Sequence, residues 1–120
     1  MDVQIAERES FRYLELISSE PPLSTEEDAL TLVSLCGEND TNLLMVHQKA
    51  LSEDFFQLKT GVAGAMMQKF INYSIKVGVV VPDRRELNTR FQELVSEVNN
   101  GNQYRIFTSG AEAEIWFFRQ

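Results

Sequence analysis

Hydrophobic and polar residues follow two different periods along the chain, and the changes of period separate predicted strands from predicted helices. Residues 3–17 contain two short segments rich in β-forming residues, separated by a polar tripeptide, which predicts a hairpin. The later strand segments are short and largely apolar, and the first two lack alternation, as expected for strands covered on both faces. These predicted strands are residues 42–47, 75–81 and 103–108.

Between the strands, apolar residues recur at helical spacing. Ser24 followed by Glu27 has the spacing of a capping box, which predicts the start of the first helix, and Gly37 is expected to end it. Ser109 followed by Glu112 predicts a second capping box, at the start of a short helix. The remaining helices are predicted at about residues 60–73 and 84–99, and the short one continues through Phe118.

The order of these elements predicts an α/β fold. Strands that alternate with helices pair in parallel through right-handed crossovers, and the N-terminal hairpin adds antiparallel pairing to the same sheet. A chain of 120 residues is long enough for one hydrophobic core and too short for two. We therefore expect residues 1–120 to form a single domain with one mixed sheet.

Composition narrows the class of function. The formal net charge of −7 disfavours binding to a phosphate backbone, and no basic stripe offsets it, so we expect no nucleic-acid partner. No run approaches the roughly 18 apolar residues of a membrane span, and the N-terminus lacks the pattern of a signal peptide. The single cysteine, Cys36, falls on the apolar face of the first predicted helix and is expected to be a buried thiol. These features predict a cytoplasmic protein without a membrane partner.

The segment between residues 51 and 73 holds the most distinctive chemistry. It enters the second predicted helix at the sheet edge formed by the carboxyl ends of the parallel strands, where ligands usually bind. Thr60 is expected to cap that helix, and Gly61 lets another chain approach closely. A helix start of this kind also favours an anion or a phosphorylated Thr60. The glycines of a nucleotide-binding phosphate loop are missing before Lys59.

Two adjacent aromatic residues precede this helix. We expect that Phe55 and Phe56 are not both buried and that one ring is exposed as an interface anchor. His47, the only histidine, follows a predicted buried strand and is either a general base or a hydrogen-bonded structural residue. No co-ligands stand at metal-ligand spacing, so neither a metal nor another cofactor is expected.

The run LSEDFFQLKTGVAGAMMQKFINY, residues 51–73, resembles the core of an uncharacterised bacterial family, a domain of unknown function. Members of that family read close to EDFF-LKTG-AG, then QKF-NY, then a valine-rich strand. The resemblance spans most of the chain, from the hairpin to the last helix around Trp116. It implies a fold and no activity.

More remotely, the chain is similar to the STAS domain of anti-sigma-factor antagonists, which implies an N-terminal strand pair followed by alternating helices and strands. In that family the loop Asp-Ser-Ser-Gly starts a helix, and a partner kinase phosphorylates its second serine. Thr60 matches this serine and Gly61 the glycine, whereas Leu58 and Lys59 depart from the pattern. The similarity implies a phosphorylation site at Thr60.

The sequence contains no complete set of catalytic residues, and two interpretations of its function remain open. The first is a non-enzymatic regulatory or protein-interaction module of STAS-like fold, with self-association into a homodimer as a further option. Its binding surface is the loop and helix start that contain Phe55, Phe56, Lys59, Thr60 and Gly61. The second is a protein or enzyme that binds a small anionic ligand at the sheet edge, through His47, Lys59, Thr60, Asp83 and Arg84.

Overall fold

The computed structural model describes residues 1–119, and in this part of the chain five strands form one mixed sheet. Their order in the sheet is their order in the sequence. The first two strands pair antiparallel and all later neighbours pair parallel, which confirms the predicted α/β fold with its N-terminal hairpin. The strands are β1 (Asp2–Glu7), β2 (Arg12–Ser18), β3 (Leu43–His47), β4 (Lys76–Val80) and β5 (Tyr104–Phe107).

Four α-helices cover the sheet in the described residues. The first three pack on one face over the larger hydrophobic core, and the fourth packs on the opposite face over a smaller one. Both faces of β3 and β4 are therefore buried, which explains why these strands are apolar throughout. The helices are α1 (Glu26–Glu38), α2 (Val62–Asn72), α3 (Thr89–Val98) and α4 (Gly110–Phe118).

Short 3-10 turns occupy the connection between β3 and α2. They are the first turn (Gln48–Ala50), the second turn (Glu53–Phe56) and the third turn (Leu58–Thr60). The helix predicted from residue 60 therefore begins two residues later, at Val62, because Thr60 belongs to the third turn. A fourth turn, Arg84–Glu86, precedes α3.

The start of α1 lies one residue later than predicted. Thr25, and not Ser24, is the N-cap, and its hydroxyl accepts a hydrogen bond from the Asp28 N–H over 3.1 Å. The Asp28 carboxylate accepts from the N–H groups of Ser24 (2.8 Å) and Thr25 (3.1 Å), so it closes the box that was assigned to Glu27. The helix also continues past Gly37, because Gly37 has an ordinary helical conformation and Asn39 is the C-cap.

The start of α3 was also predicted too early. The helix begins at Thr89, because the Asn88 side chain caps it by accepting a hydrogen bond from the Phe91 N–H over 2.9 Å. At α4, by contrast, the predicted N-cap is correct: the Ser109 hydroxyl accepts a hydrogen bond from the Glu112 N–H over 3.3 Å, while the Glu112 carboxylate accepts from the Thr108 hydroxyl.

Candidate functional site

Thr60 and Gly61 connect the third turn to α2. Gly61 is the N-cap residue, with a φ of +77°, a left-handed conformation that favours glycine. The Thr60 hydroxyl oxygen lies 2.6 Å from the carbonyl oxygen of Asp54 and 2.8 Å from that of Gln57. It also accepts a hydrogen bond from the Val62 N–H over 3.2 Å. Thr60 is therefore not the N-cap residue that was predicted: its hydroxyl binds the first N–H of α2 from the position before the N-cap, and it holds the second and third turns against the helix.

The expectation that one ring of the Phe55–Phe56 pair is exposed is wrong. Phe55 is 1% exposed and Phe56 is 9% exposed. Both rings pack against Phe91 of α3, with centroid distances of 6.1 Å and 5.2 Å. The two side chains project about 120° apart, as neighbouring residues of a 3-10 turn do. Phe91 nevertheless contacts both rings. The Asn88 amide also donates a hydrogen bond to the Phe56 carbonyl oxygen (2.8 Å), so this pair belongs to the core.

An apolar cleft opens between α2 and α3, which make little contact with each other. It encloses about 190 Å³ above the Phe55 and Phe91 rings. A Cβ atom added at Gly61 or Gly64 would meet no atom within 4 Å, so the rim of the cleft is open at these two glycines. We call this cavity the α2–α3 cleft. It is lined by Phe55, Leu58, Gly61, Ala63, Gly64, Met67, Phe91, Leu94, Tyr104 and Ile106.

A second cavity, of about 240 Å³, adjoins the cleft at Leu58, which lines both. Two exposed cations, Lys59 and Arg90, lie on its wall. Neither side chain makes a hydrogen bond or ion pair with any of residues 1–119. We call this cavity the Lys59–Arg90 pocket. Its lining is completed by Gln57, Asn88 and Thr89.

His47 lies on the opposite face of the sheet. Its Nε2 atom is 2.6 Å from a carboxylate oxygen of Glu15 on β2, and the other Glu15 oxygen accepts a hydrogen bond from the Gln4 amide over 2.8 Å. The side chains of His47 and Glu15 are 26% and 16% exposed. The five cavities described for residues 1–119 are lined by other residues, so this dyad has no associated cleft among them.

Sequence analysis did not single out Glu15, which is the ordered carboxylate partner of His47. The pairing depends on strand register: Glu15 lies beside Met45, and His47 is the next residue of β3 on the same face. The available signal was the alternation within β2, which places Tyr13 and Glu15 on one face. That signal becomes specific only once the register between β2 and β3 is known.

The structure does not assemble the five residues of the predicted anionic-ligand site. His47 lies on the α4 face, whereas Lys59 and Thr60 lie with α2 on the other. Arg84 is held by the backbone, since it donates a hydrogen bond to the Ile106 carbonyl oxygen over 3.0 Å. Asp83 pairs with Arg85, and the hydrogen bonds from Arg85 lower the pKa of the Asp83 carboxyl. Of this set, only Lys59 lines a described cavity.

Cys36 is fully buried on α1, as predicted, and burial raises the pKa of its thiol to about 12. Among residues 1–119, no group of three His, Cys, Asp or Glu side chains is arranged to hold a metal ion. Within the same range, none of the helices has the length and apolar character needed to cross a membrane.

Comparison with known families gives one match. Residues 8–117 match the model of a domain of unknown function, DUF4180, which covers nearly the whole chain. No curated protein and no solved structure matches the chain. The match agrees with the resemblance to an uncharacterised domain family that the segment 51–73 carries.

Proposed function

Because this chain belongs to the DUF4180 family of domains of unknown function, whose description names no activity, we propose a function from its geometry. The protein is a non-catalytic binding module for a small amphipathic anion. The apolar part of the ligand occupies the α2–α3 cleft, and its anionic group lies against Lys59 and Arg90. This proposal keeps the predicted binding region, the loop and start of the second helix. The contact surface is now the α2–α3 cleft with Lys59 and Arg90, in place of the Phe55–Phe56 pair, which is buried.

The observation that carries the proposal is that an apolar cavity and a basic cavity share one wall, at Leu58. Small-molecule sites are mostly apolar, with a few polar groups that fix the orientation of the ligand. Lys59 and Arg90 have no acidic partner among the described residues, so they are available to a carboxylate or phosphate. The residues that line the two cavities include no histidine, cysteine or carboxylate, which favours binding over catalysis.

Cavity size limits the apolar part of the ligand. A dry apolar cavity of about 150 Å³ in another protein binds benzene, and the α2–α3 cleft encloses about 190 Å³. The cleft therefore suits a single ring or a short aliphatic chain. The matching ligand class is a small aromatic or short-chain aliphatic acid.

The test is calorimetric titration of the purified chain with aryl and short-chain carboxylates, alongside the amide of each acid as an uncharged control. We expect the acids to bind and the amides to bind at least about tenfold more weakly, because a hydrogen bond to a charged group contributes about 1.5–3 kcal/mol. Lys59→Ala and Arg90→Ala are each expected to weaken binding of the acids by about tenfold or more. Lys49→Ala, which removes an exposed lysine of the first turn, is the matched control and leaves binding unchanged.

A second variant separates the cleft from the cations. Gly64→Leu places a large side chain at a position where a Cβ meets no atom within 4 Å, so α2 is retained while the cleft is filled. We expect this variant to lose binding of the acids and to keep its circular dichroism spectrum. Binding of acids that is unchanged in both Lys59→Ala and Gly64→Leu would show that they bind elsewhere and would refute the proposed site.

A further inference from the structure

Helix α4 presents a second apolar stripe that the described fold leaves uncovered. Its inner stripe includes Trp116 and Phe117, which are 7% and 1% exposed over the smaller core. Its outer stripe includes Ile115 and Phe118, which are 54% and 65% exposed. Large apolar side chains that lie together at the surface beside a groove often mark an interaction site. Neither stripe contributes to the α2–α3 cleft.

The exposed stripe forms a ridge between two grooves. The rings of Phe118 and Phe11, which immediately precedes β2, have centroids 6.4 Å apart. A groove of about 580 Å³ lies on one side, between the hairpin turn and α4. A groove of about 460 Å³ lies on the other side, toward Asn42 and Leu43. Both grooves are lined by Phe11 and Phe118, so one surface carries a ridge and the hollows that such a ridge can enter.

Acidic and basic side chains both occur on this surface. Arg8 and Glu114 form an ion pair within the chain, with Nη2 and Oε2 2.6 Å apart. Glu9 and Arg119 line the same groove and are exposed, and neither makes an ion pair with another of residues 1–119. In an isologous contact, residue i of one copy meets residue j of the other, and j meets i. An acidic and a basic side chain on one such surface can therefore pair twice.

We propose that this α4 surface is a homodimer interface, in which the Phe11–Phe118 ridge of each copy enters a groove of the other and Glu9 of each pairs with Arg119 of the other. The partner is a second copy of this chain because ridge, groove and both signs of charge occur on one patch. The proposal is independent of the ligand site, which lies on the other face of the sheet.

The experiment is sedimentation analysis of the full chain over a range of concentrations at physiological salt. Salt is needed because each copy carries a formal net charge of −7, and the Debye length under these conditions is about 8 Å. We expect the mass to rise from one copy to two with concentration. Phe118→Ser is expected to remain at one copy. Tyr73→Ser is the matched control, because Tyr73 is 57% exposed and lines neither groove, and it is expected to dimerise normally.

Charge reversal tests the arrangement independently. Glu9→Arg and Arg119→Glu are each expected to weaken the dimer by about tenfold or more, since each places like charges opposite one another. The double variant is expected to recover much of the loss, because both pairs are restored with reversed sign. The proposal is overturned if the wild-type protein stays monomeric at every concentration. It is also overturned if the Phe118→Ser variant dimerises normally. Single reversals without effect, or a double variant as weak as the singles, overturn the Glu9–Arg119 pairing.

Discussion

Glu15 and His47 lie on adjacent parallel strands with a carboxylate oxygen and Nε2 2.6 Å apart, although they are 32 residues apart in the sequence. The chain has one histidine, and this carboxylate is its ordered partner. The pair is an ion pair only when His47 is protonated. Gln4 holds the other carboxylate oxygen from β1, so three strands contribute to one polar cluster on the sheet.

A double-mutant cycle on Glu15→Gln and His47→Gln will measure the energy of this contact. We expect a coupling free energy of about 1 kcal/mol, because both side chains are only partly exposed and the hydrogen bond is short. The measurement is the free energy of urea unfolding of the wild type, both single variants and the double variant. Strictly additive single effects would show that the two side chains do not interact in solution.

The Phe55 ring is predicted to contribute to stability as a core residue. Phe55→Ala should lower the free energy of unfolding by about 3–5 kcal/mol, since the ring is 1% exposed and its removal leaves a cavity. The control is Tyr73→Ala, at an aromatic residue that is 57% exposed, and its effect should stay within about 0.5 kcal/mol. Equal small effects in the two variants would place Phe55 at the surface.

Gly61 tests the backbone at the start of α2. Gly61→Ala should destabilise the fold by about 1–2 kcal/mol, because an L-residue with a φ of +77° is strained even though its Cβ has open space. Gly37→Ala is the opposite case. Gly37 also has open space but lies within α1 at an ordinary helical φ, so alanine should stabilise by about 0.5–1 kcal/mol. Thermal and urea unfolding of the two variants should therefore shift in opposite directions.

The Thr60 hydroxyl can be separated from its methyl group. Thr60→Val keeps the shape of the side chain but removes the hydrogen bonds to the turn carbonyls and to the Val62 N–H, which should cost about 1–2 kcal/mol. Thr60→Ser keeps the hydroxyl and should lie within about 0.5 kcal/mol of the wild type. Chemical unfolding compares the two variants, and a Thr60→Val protein as stable as Thr60→Ser would show that these hydrogen bonds contribute nothing.

Acid should weaken the hairpin end of the molecule through Glu114. The hydrogen bond from Arg8 lowers the pKa of the Glu114 carboxyl below the ordinary value of 4.5. A carboxyl whose pKa is lower in the folded state stabilises the fold above its unfolded pKa, and this contribution is lost as the pH falls through the folded pKa. The difference in unfolding free energy between wild type and Glu114→Gln should therefore shrink below about pH 4.5. In an Arg8→Ala background this change with pH should be smaller.

The fold could be predicted because each strand and helix carries its own local pattern. Apolar runs without alternation marked β3 and β4, and the sheet that contains them is covered on both sides. The start of α3 was missed because Arg84–Glu86 has residues that suit a helix, yet they form a separate turn and Asn88 provides the cap. The error at α3 therefore concerns which polar residue caps the helix, and that depends on the orientation of its side chain.

The site was harder to predict because it depends on contacts between distant segments. Whether Phe55 and Phe56 are buried depends on Phe91, which reaches them only after α3 has packed. The pairing of His47 with Glu15 depends on register between strands. The α2–α3 cleft depends on how far two helices stand apart. None of these contacts is encoded in a single segment, whereas the position of Lys59 and Thr60 next to a helix start is a local feature of the sequence.

The sequential order of the strands has a consequence for synthesis of the protein. Each strand of the sheet pairs with the one made just before it, so the sheet can grow by one strand at a time as the chain emerges from the ribosome. No strand waits for a distant partner, and α1, α2 and α3 cover one face as they appear. The opposite face, with Tyr13 and Met45, gains its cover only when α4 has been made. During translation the nascent protein is therefore a sheet covered on one face, and its other apolar face stays open to solvent until α4 packs.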